Sequence, residues 1–117
     1  MKILILEDSN VRIEIFKKQL GKKHELYIFD QVEEAKNAID YSGPFDRIYL
    51  DHDLDQRVFV DSDEDNTGYQ LAKYISAKEI DAEIFIHTMN PFGADRMKAV
   101  LPGANQIMFD DLFDLKR

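Results

Sequence analysis

The sequence predicts an α/β fold, a doubly wound sheet of five parallel strands, on three observations. Five short apolar runs recur along the chain, helical periodicity fills the gaps between them, and 117 residues suit a single domain spanning 1–117. The first run, residues 3–6 (Ile-Leu-Ile-Leu), is apolar throughout rather than alternating, as expected of a strand buried on both faces. A helix then starts at Ser9-Asn10, buries the stripe Val11, Ile15, Phe16 and Leu20, and stops at Gly21. Lys17, Lys18, Lys22 and Lys23 gather at its end, where cations suit the negative pole of the helix dipole. Residues 26–29 form the second strand, and a second helix starts at Asp30, carries Val32, Ala35 and Ile39, and stops at Ser42-Gly43-Pro44. The third strand is residues 48–50, and the third helix starts at Thr67 with Leu71, Ala72 and Ile75 inward. Residues 84–86 make the fourth strand, the fourth helix carries Ala94, Met97 and Leu101 to a stop at Pro102-Gly103, and residues 107–109 make the fifth strand. Only residues 111–117 remain for a truncated last helix.

Composition narrows the function. Twenty-three acids against 15 bases give a net charge of −8, which argues against a broad grip on nucleic-acid backbone. An anionic substrate is therefore expected to arrive by way of a cation. The chain has no cysteine, which excludes disulfides, thiolate zinc sites and a thiol nucleophile and fits a cytoplasmic setting. No apolar run is long enough for a signal peptide or a membrane span.

Charge is concentrated where a doubly wound sheet places its ligand crevice, at the carboxyl ends of the strands. Residues 51–65 hold seven acids against one base, Arg57, for a local charge of −6. Glu7 and Asp8 end the first strand, and Asp51-His52-Asp53 ends the third. Carboxylates converging from two strand ends repel one another unless a hard cation sits among them, so Glu7, Asp8, Asp51 and Asp53 are expected to hold magnesium or manganese. His87, Thr88 and Asn90 close the fourth strand at the same rim. An imidazole there can exchange a proton or bind a phosphate, and the neighbouring hydroxyl and amide can orient phosphate oxygens. His52 alternates away from its two aspartate neighbours, which favours a packing role. Residues 61–66 superficially resemble a calcium loop, but the eighth position is the glycine and the twelfth is Ala72, so a solvated acidic loop is expected.

An acidic pair after the first strand, an aspartate after the third and a threonine after the fourth, on five β/α repeats, resemble the receiver domain of two-component response regulators over nearly the whole chain. The resemblance implies the flavodoxin-like topology, with Glu7 and Asp8 as magnesium ligands, Asp51 as phosphoacceptor, Asp53 offering its backbone carbonyl to the metal, and Thr88 as switch hydroxyl. There are departures. Met108-Phe109-Asp110-Asp111 stands where receivers carry a lysine after the fifth strand, and Asp55 stands where they carry a proline. Leu50-Asp51-His52-Asp53-Leu54, Thr67-Gly68 and His87-Thr88-Met89-Asn90-Pro91 are more similar to a divergent branch, the cyclic-phosphate-processing receiver domain. That resemblance implies a metal-dependent phosphoesterase acting on a small phosphorylated or cyclic-phosphate substrate, either a cyclic nucleotide or an RNA end, with Asp51 and His87 catalytic. Two other readings remain: a signalling receiver phosphorylated on Asp51 and acting through a protein partner, and a pseudo-receiver that binds a protein or nucleotide without chemistry.

Overall fold

The computed structural model describes residues 1–113. Strands β1 (Lys2–Leu6), β2 (Glu25–Phe29), β3 (Arg47–Leu50), β4 (Glu83–Ile86) and β5 (Asn105–Gln106) form one parallel sheet in the order β2-β1-β3-β4-β5. Helices α1 (Asn10–Leu20), α2 (Val32–Ser42), α3 (Gly68–Ala77) and α4 (Pro91–Val100) connect them. The chain runs outward from β1 to β2 and then returns past it to β3, so the winding direction reverses at β1 and β3. Their carboxyl ends flank the crevice where such sheets bind ligands.

Strand alternation sends side chains to two cores. Leu4, Leu6, Ile48, Leu50, Ile84 and Ile86 pack against the inward stripes of α2, α3 and α4. Ile3, Ile5 and Tyr49 face the other way, towards Phe16 of α1 and Phe109. Phe16 is fully buried and meets Tyr49, Phe109 and Phe113 edge to face, with ring centroids 5.2–5.5 Å apart. Burial on both faces is the physical reason that the runs in β1 and β3 are continuously apolar.

Three expectations are corrected. The fifth strand lies at Asn105–Gln106, ahead of the apolar run at 107–109. As an edge strand it needs no apolar residues, and the run instead ends in a 3-10 turn, Phe109–Asp111, that tucks Phe109 under α1. The second helix is capped at Gln31 rather than Asp30. The Val32 amide, which has no partner within the helix, donates to the side chain of Asn66 at 2.8 Å, a cap delivered from a distant loop. Thr67 occupies the N-cap position of α3 but does not cap it; its hydroxyl donates to the carbonyls of Ser62 and Glu64. Of the expected last helix, residues 111–113 continue from the 3-10 turn, and 114–117 lie outside the described residues.

Candidate functional site

Glu7 follows β1, Asp51 follows β3 and His87 follows β4, so three adjacent strands deliver three polar side chains to one corner. Their ligand atoms lie within 4.8 Å of one another, and all three residues are buried. His87 Nε2 is 2.9 Å from Glu7 Oε1, while His87 Nδ1 is buried without a hydrogen-bond partner. A neutral imidazole donating from Nε2 to Glu7 accounts for both, since it leaves a lone pair and not an N–H unpaired at Nδ1. Burial holds the His87 pKa down at about 4, against the attraction of Asp51, so the ring is neutral at physiological pH. Burial also raises the pKa of Glu7, outweighing the backbone of Ser9 and the charge of Arg12. Asp51 is pushed up to about 7, first by burial and then by the charge of Glu7. Two carboxyls buried side by side cannot both ionise cheaply without a cation.

Arg12, which the sequence reading missed, supplies the cation that is present. Its guanidinium lies 3.8 Å from Glu7 and 3.9 Å from Asp51, over the ring of Phe109 at 5.2 Å. The available signal was position: Arg12 sits in the first turn of the helix that leaves Glu7-Asp8, with Ser9 accepting from its amide to cap that turn. The group comes from α1 and not from beyond β5.

In front of the cluster opens a cleft of about 300 Å³, lined by Glu7, Asp8, Arg12, Asp51, Asp53 and Thr88 among others. Asp8 is at the rim, where its side chain accepts from the Gln56 backbone amide at 2.6 Å and its carbonyl accepts from the Gln56 side chain at 2.6 Å. Asp53 accepts from Phe59, Val60 and Asn90 at 2.6, 3.1 and 3.0 Å, and bonds the His52 ring at 2.8 Å. Burial alone would raise the Asp53 pKa, but the bonds from His52, Asn90, Phe59 and Val60 prevail and lower it. Both acids therefore fasten the loop of residues 55–60, in which Asp55, Gln56 and Phe59 all adopt positive φ.

The candidate residues thus divide. Glu7, Asp51 and His87 are brought together, Asp8, Asp53 and Thr88 line the cleft in front, and Asn90 is buried outside that lining. The Asn90 side chain caps α4 by accepting from Gly93, and its amide donates to Asp53. His52 faces away from the cluster, fully buried, with Nε2 2.8 Å from Ser62 Oγ. Two glycines permit this packing. A Cβ on Gly68 would fall 1.8 Å from the Asp51 carbonyl oxygen, and one on Gly93 would fall 2.4 Å from the His52 ring. No helix among the described residues is long and apolar enough to cross a membrane.

Comparison with known proteins agrees with this architecture. The fold is similar to that of the response regulator TrrA from Thermotoga maritima, solved in complex with Mg2+ and BeF, at TM-score 0.71 and 22% identity over 97% of this chain and 90% of that one. It is also similar to the HemR receiver domain of Leptospira biflexa, at TM-score 0.69 and 25% identity over 92% of this chain and 79% of that one. A CheY-like receiver domain from Methanospirillum hungatei gives TM-score 0.70 and 17% identity over 92% and 78% of the two chains. No curated protein matches the chain. The family model described as the cyclic-phosphate processing receiver domain matches residues 2–103, most of the chain, and the chain belongs to that family.

Proposed function

We propose that the corner formed by Glu7 and Asp51 holds one divalent cation, magnesium or manganese, and that the chain hydrolyses cyclic phosphates there. The observation that carries this reading is the convergence of the Glu7, Asp51 and His87 ligand atoms within 4.8 Å, buried, at the floor of an open cleft. The donor set fits a hard cation: carboxylate oxygens supply the first ligands, with Asp8 and Asp53 at the rim to complete them. His87 backs Glu7 and fixes the orientation of its carboxylate, as groups behind a metal ligand do. A bound cation would polarise the phosphate and lower the pKa of a water molecule.

The remaining work falls to this chain's own residues. Hydrolysis adds one water: its oxygen attacks phosphorus, one ring P–O bond breaks, and the departing oxygen takes a proton. Arg12 is planar, permanently charged and at the cleft wall, so it can bind two phosphate oxygens and counter the charge that grows as the bond breaks. Thr88 offers a hydroxyl to a third oxygen. His87 is neutral and buried, and by donating from Nε2 to Glu7 it positions that carboxylate rather than touching the substrate. Asn90 acts at a distance, holding Asp53 and the start of α4.

The position of Asp51 at the end of β3 favours a second reading, a receiver phosphorylated on Asp51. Turnover separates the two. Purified protein with magnesium or manganese is offered 2',3'-cyclic and 3',5'-cyclic nucleotides, and in parallel acetyl phosphate followed by intact-mass measurement. The esterase reading expects catalytic loss of a cyclic phosphate, abolished by Asp51→Asn, and little stable adduct. Full modification at Asp51 without turnover would move the conclusion to the signalling receiver.

A further inference from the structure

A second cleft of about 530 Å³ lies on the other side of the wall formed by residues 58–60 and 89–90, between the 59–62 segment and the start of α4. Val58 and Met89 line the acidic cleft, while their chain neighbours Phe59 and Asn90 line this one. Of the eight exposed large apolar side chains among the described residues, Phe59 and Phe92 line this cleft and Val58 and Met89 the acidic one. Phe59 and Phe92 are 70% and 79% exposed. Two solvent-facing phenylalanines lining one cleft suit a planar apolar ligand.

Phe59 is also held outward against a local cost. Its φ of 53° is a left-handed conformation that a bulky residue rarely adopts. Its amide and that of Val60 both donate to Asp53, so a carboxylate at the rim of the acidic cleft keeps the ring beside the second one. An outlier maintained by neighbouring contacts is the kind of strain found where a ligand is clamped.

The charges decide what the ligand is. Asp61 and Asp95 line the second cleft against a single cation, Arg96. That guanidinium lies over the Tyr69 ring at 4.5 Å and within 3.5 Å of Asp63. A phosphate is repelled there, whereas the amino groups of a nucleobase can donate to the carboxylates while its face lies on phenylalanine. The −6 charge of residues 51–65 also opposes a polyanionic RNA chain running across this surface. We propose that the second cleft is a nucleobase subsite, so that the cyclic phosphate processed at Glu7 and Asp51 is that of a free mononucleotide whose base lies against Phe59 and Phe92. The assignment of the phosphate rests on the function proposed above; the base subsite does not.

The test has two arms. In the first, kcat/KM is measured for adenosine 2',3'-cyclic phosphate, for glycerol 1,2-cyclic phosphate, which has no base, and for an oligoribonucleotide ending in a 2',3'-cyclic phosphate. The mononucleotide should be the best substrate, and Phe59→Ala or Phe92→Ala should each reduce its kcat/KM about tenfold while leaving glycerol cyclic phosphate unchanged. Equal use of the base-free substrate, or a preference for the oligonucleotide, would overturn the proposal. In the second arm, adenosine alone is titrated into wild type and Asp51→Asn and followed by amide NMR shifts. Shifts in residues 59–62 and 92–96 of both proteins, lost in the Phe59→Ala Phe92→Ala double variant, would support the base subsite even if no turnover is found. Absence of those shifts would overturn it even if cyclic phosphates are hydrolysed.

Discussion

Lowering the pH should weaken divalent-cation binding, because a proton and the cation compete for Asp51. Its native pKa of about 7 follows from burial beside Glu7. At pH 8 such a carboxyl is about 90% ionised and at pH 6 about 10%, so the apparent affinity for magnesium should fall about tenfold between them, or about 1.4 kcal/mol. The same shift sets the behaviour without metal. Because the native pKa lies above the unfolded value of about 3.9, holding the proton stabilises the native state at low pH, and that contribution is lost as the pH rises to 7. His87 runs the opposite way. Its native pKa of about 4 is below the unfolded value of about 6.5, so its contribution is complete above 6.5 and lost as the pH falls towards 4. Isothermal titration with magnesium at pH 6, 7 and 8, beside chemical denaturation in chelator, reads both effects. Asp51→Asn should bind magnesium weakly and with a smaller pH dependence than wild type, and in chelator at pH 8 it should be more stable than wild type. A wild-type affinity that does not change across this range would refute the placement of Asp51 at the cation.

Three further outcomes follow from particular contacts. Arg12→Ala leaves Glu7 and Asp51 without their cation, so stability in chelator should fall by about 1–3 kcal/mol and recover more with magnesium than wild type gains, read by denaturation with and without the metal. Glu79 ends α3 at φ 53°, with the Ile80 amide donating back to the Ile75 carbonyl at 3.1 Å; Glu79→Gly should raise stability by up to about 1 kcal/mol, seen as a higher Tm. Gly93→Ala drives a methyl into the His52 ring and should cost about 1–3 kcal/mol, whereas Gly103→Ala, with open space around it, should be close to neutral in the same melt.

Much of this molecule is legible in the sequence, and the exceptions have physical causes. Strands buried on both faces announce themselves as continuous apolar runs, as in β1 and β3, and the half-buried β2 and β4 also fall where the apolar runs are. The edge strand β5 has one neighbour and polar residues, so its apolar signal belonged to Phe109, which packs under α1 instead. The start of α2 was obscured because its cap, Asn66, comes from 34 residues away in sequence. That Glu7, Asp51 and His87 lie at one rim was legible from their places at strand ends, and the strand order β1-β3-β4 then brings them together. Arg12 was not legible, because a lone base on a helix carries no pattern until the helix is placed over the strand ends. Nor were the roles of Asp8 and Asp53 in fastening the 55–60 loop, since three non-glycine residues at positive φ leave no compositional trace. The bonds of Asn90 to Asp53 and Gly93 likewise depend on where a long loop returns.

The most direct measurement of the cation site is an anomalous difference map from crystals of the protein grown with manganese. The account predicts a single strong peak in the acidic cleft, within ligand distance, about 2.0–2.3 Å, of carboxylate oxygens from both Glu7 and Asp51, and no such peak in Asp51→Asn. Well-ordered crystals at millimolar manganese with Glu7, Asp51 and Arg12 still in mutual contact and no peak among them would contradict it.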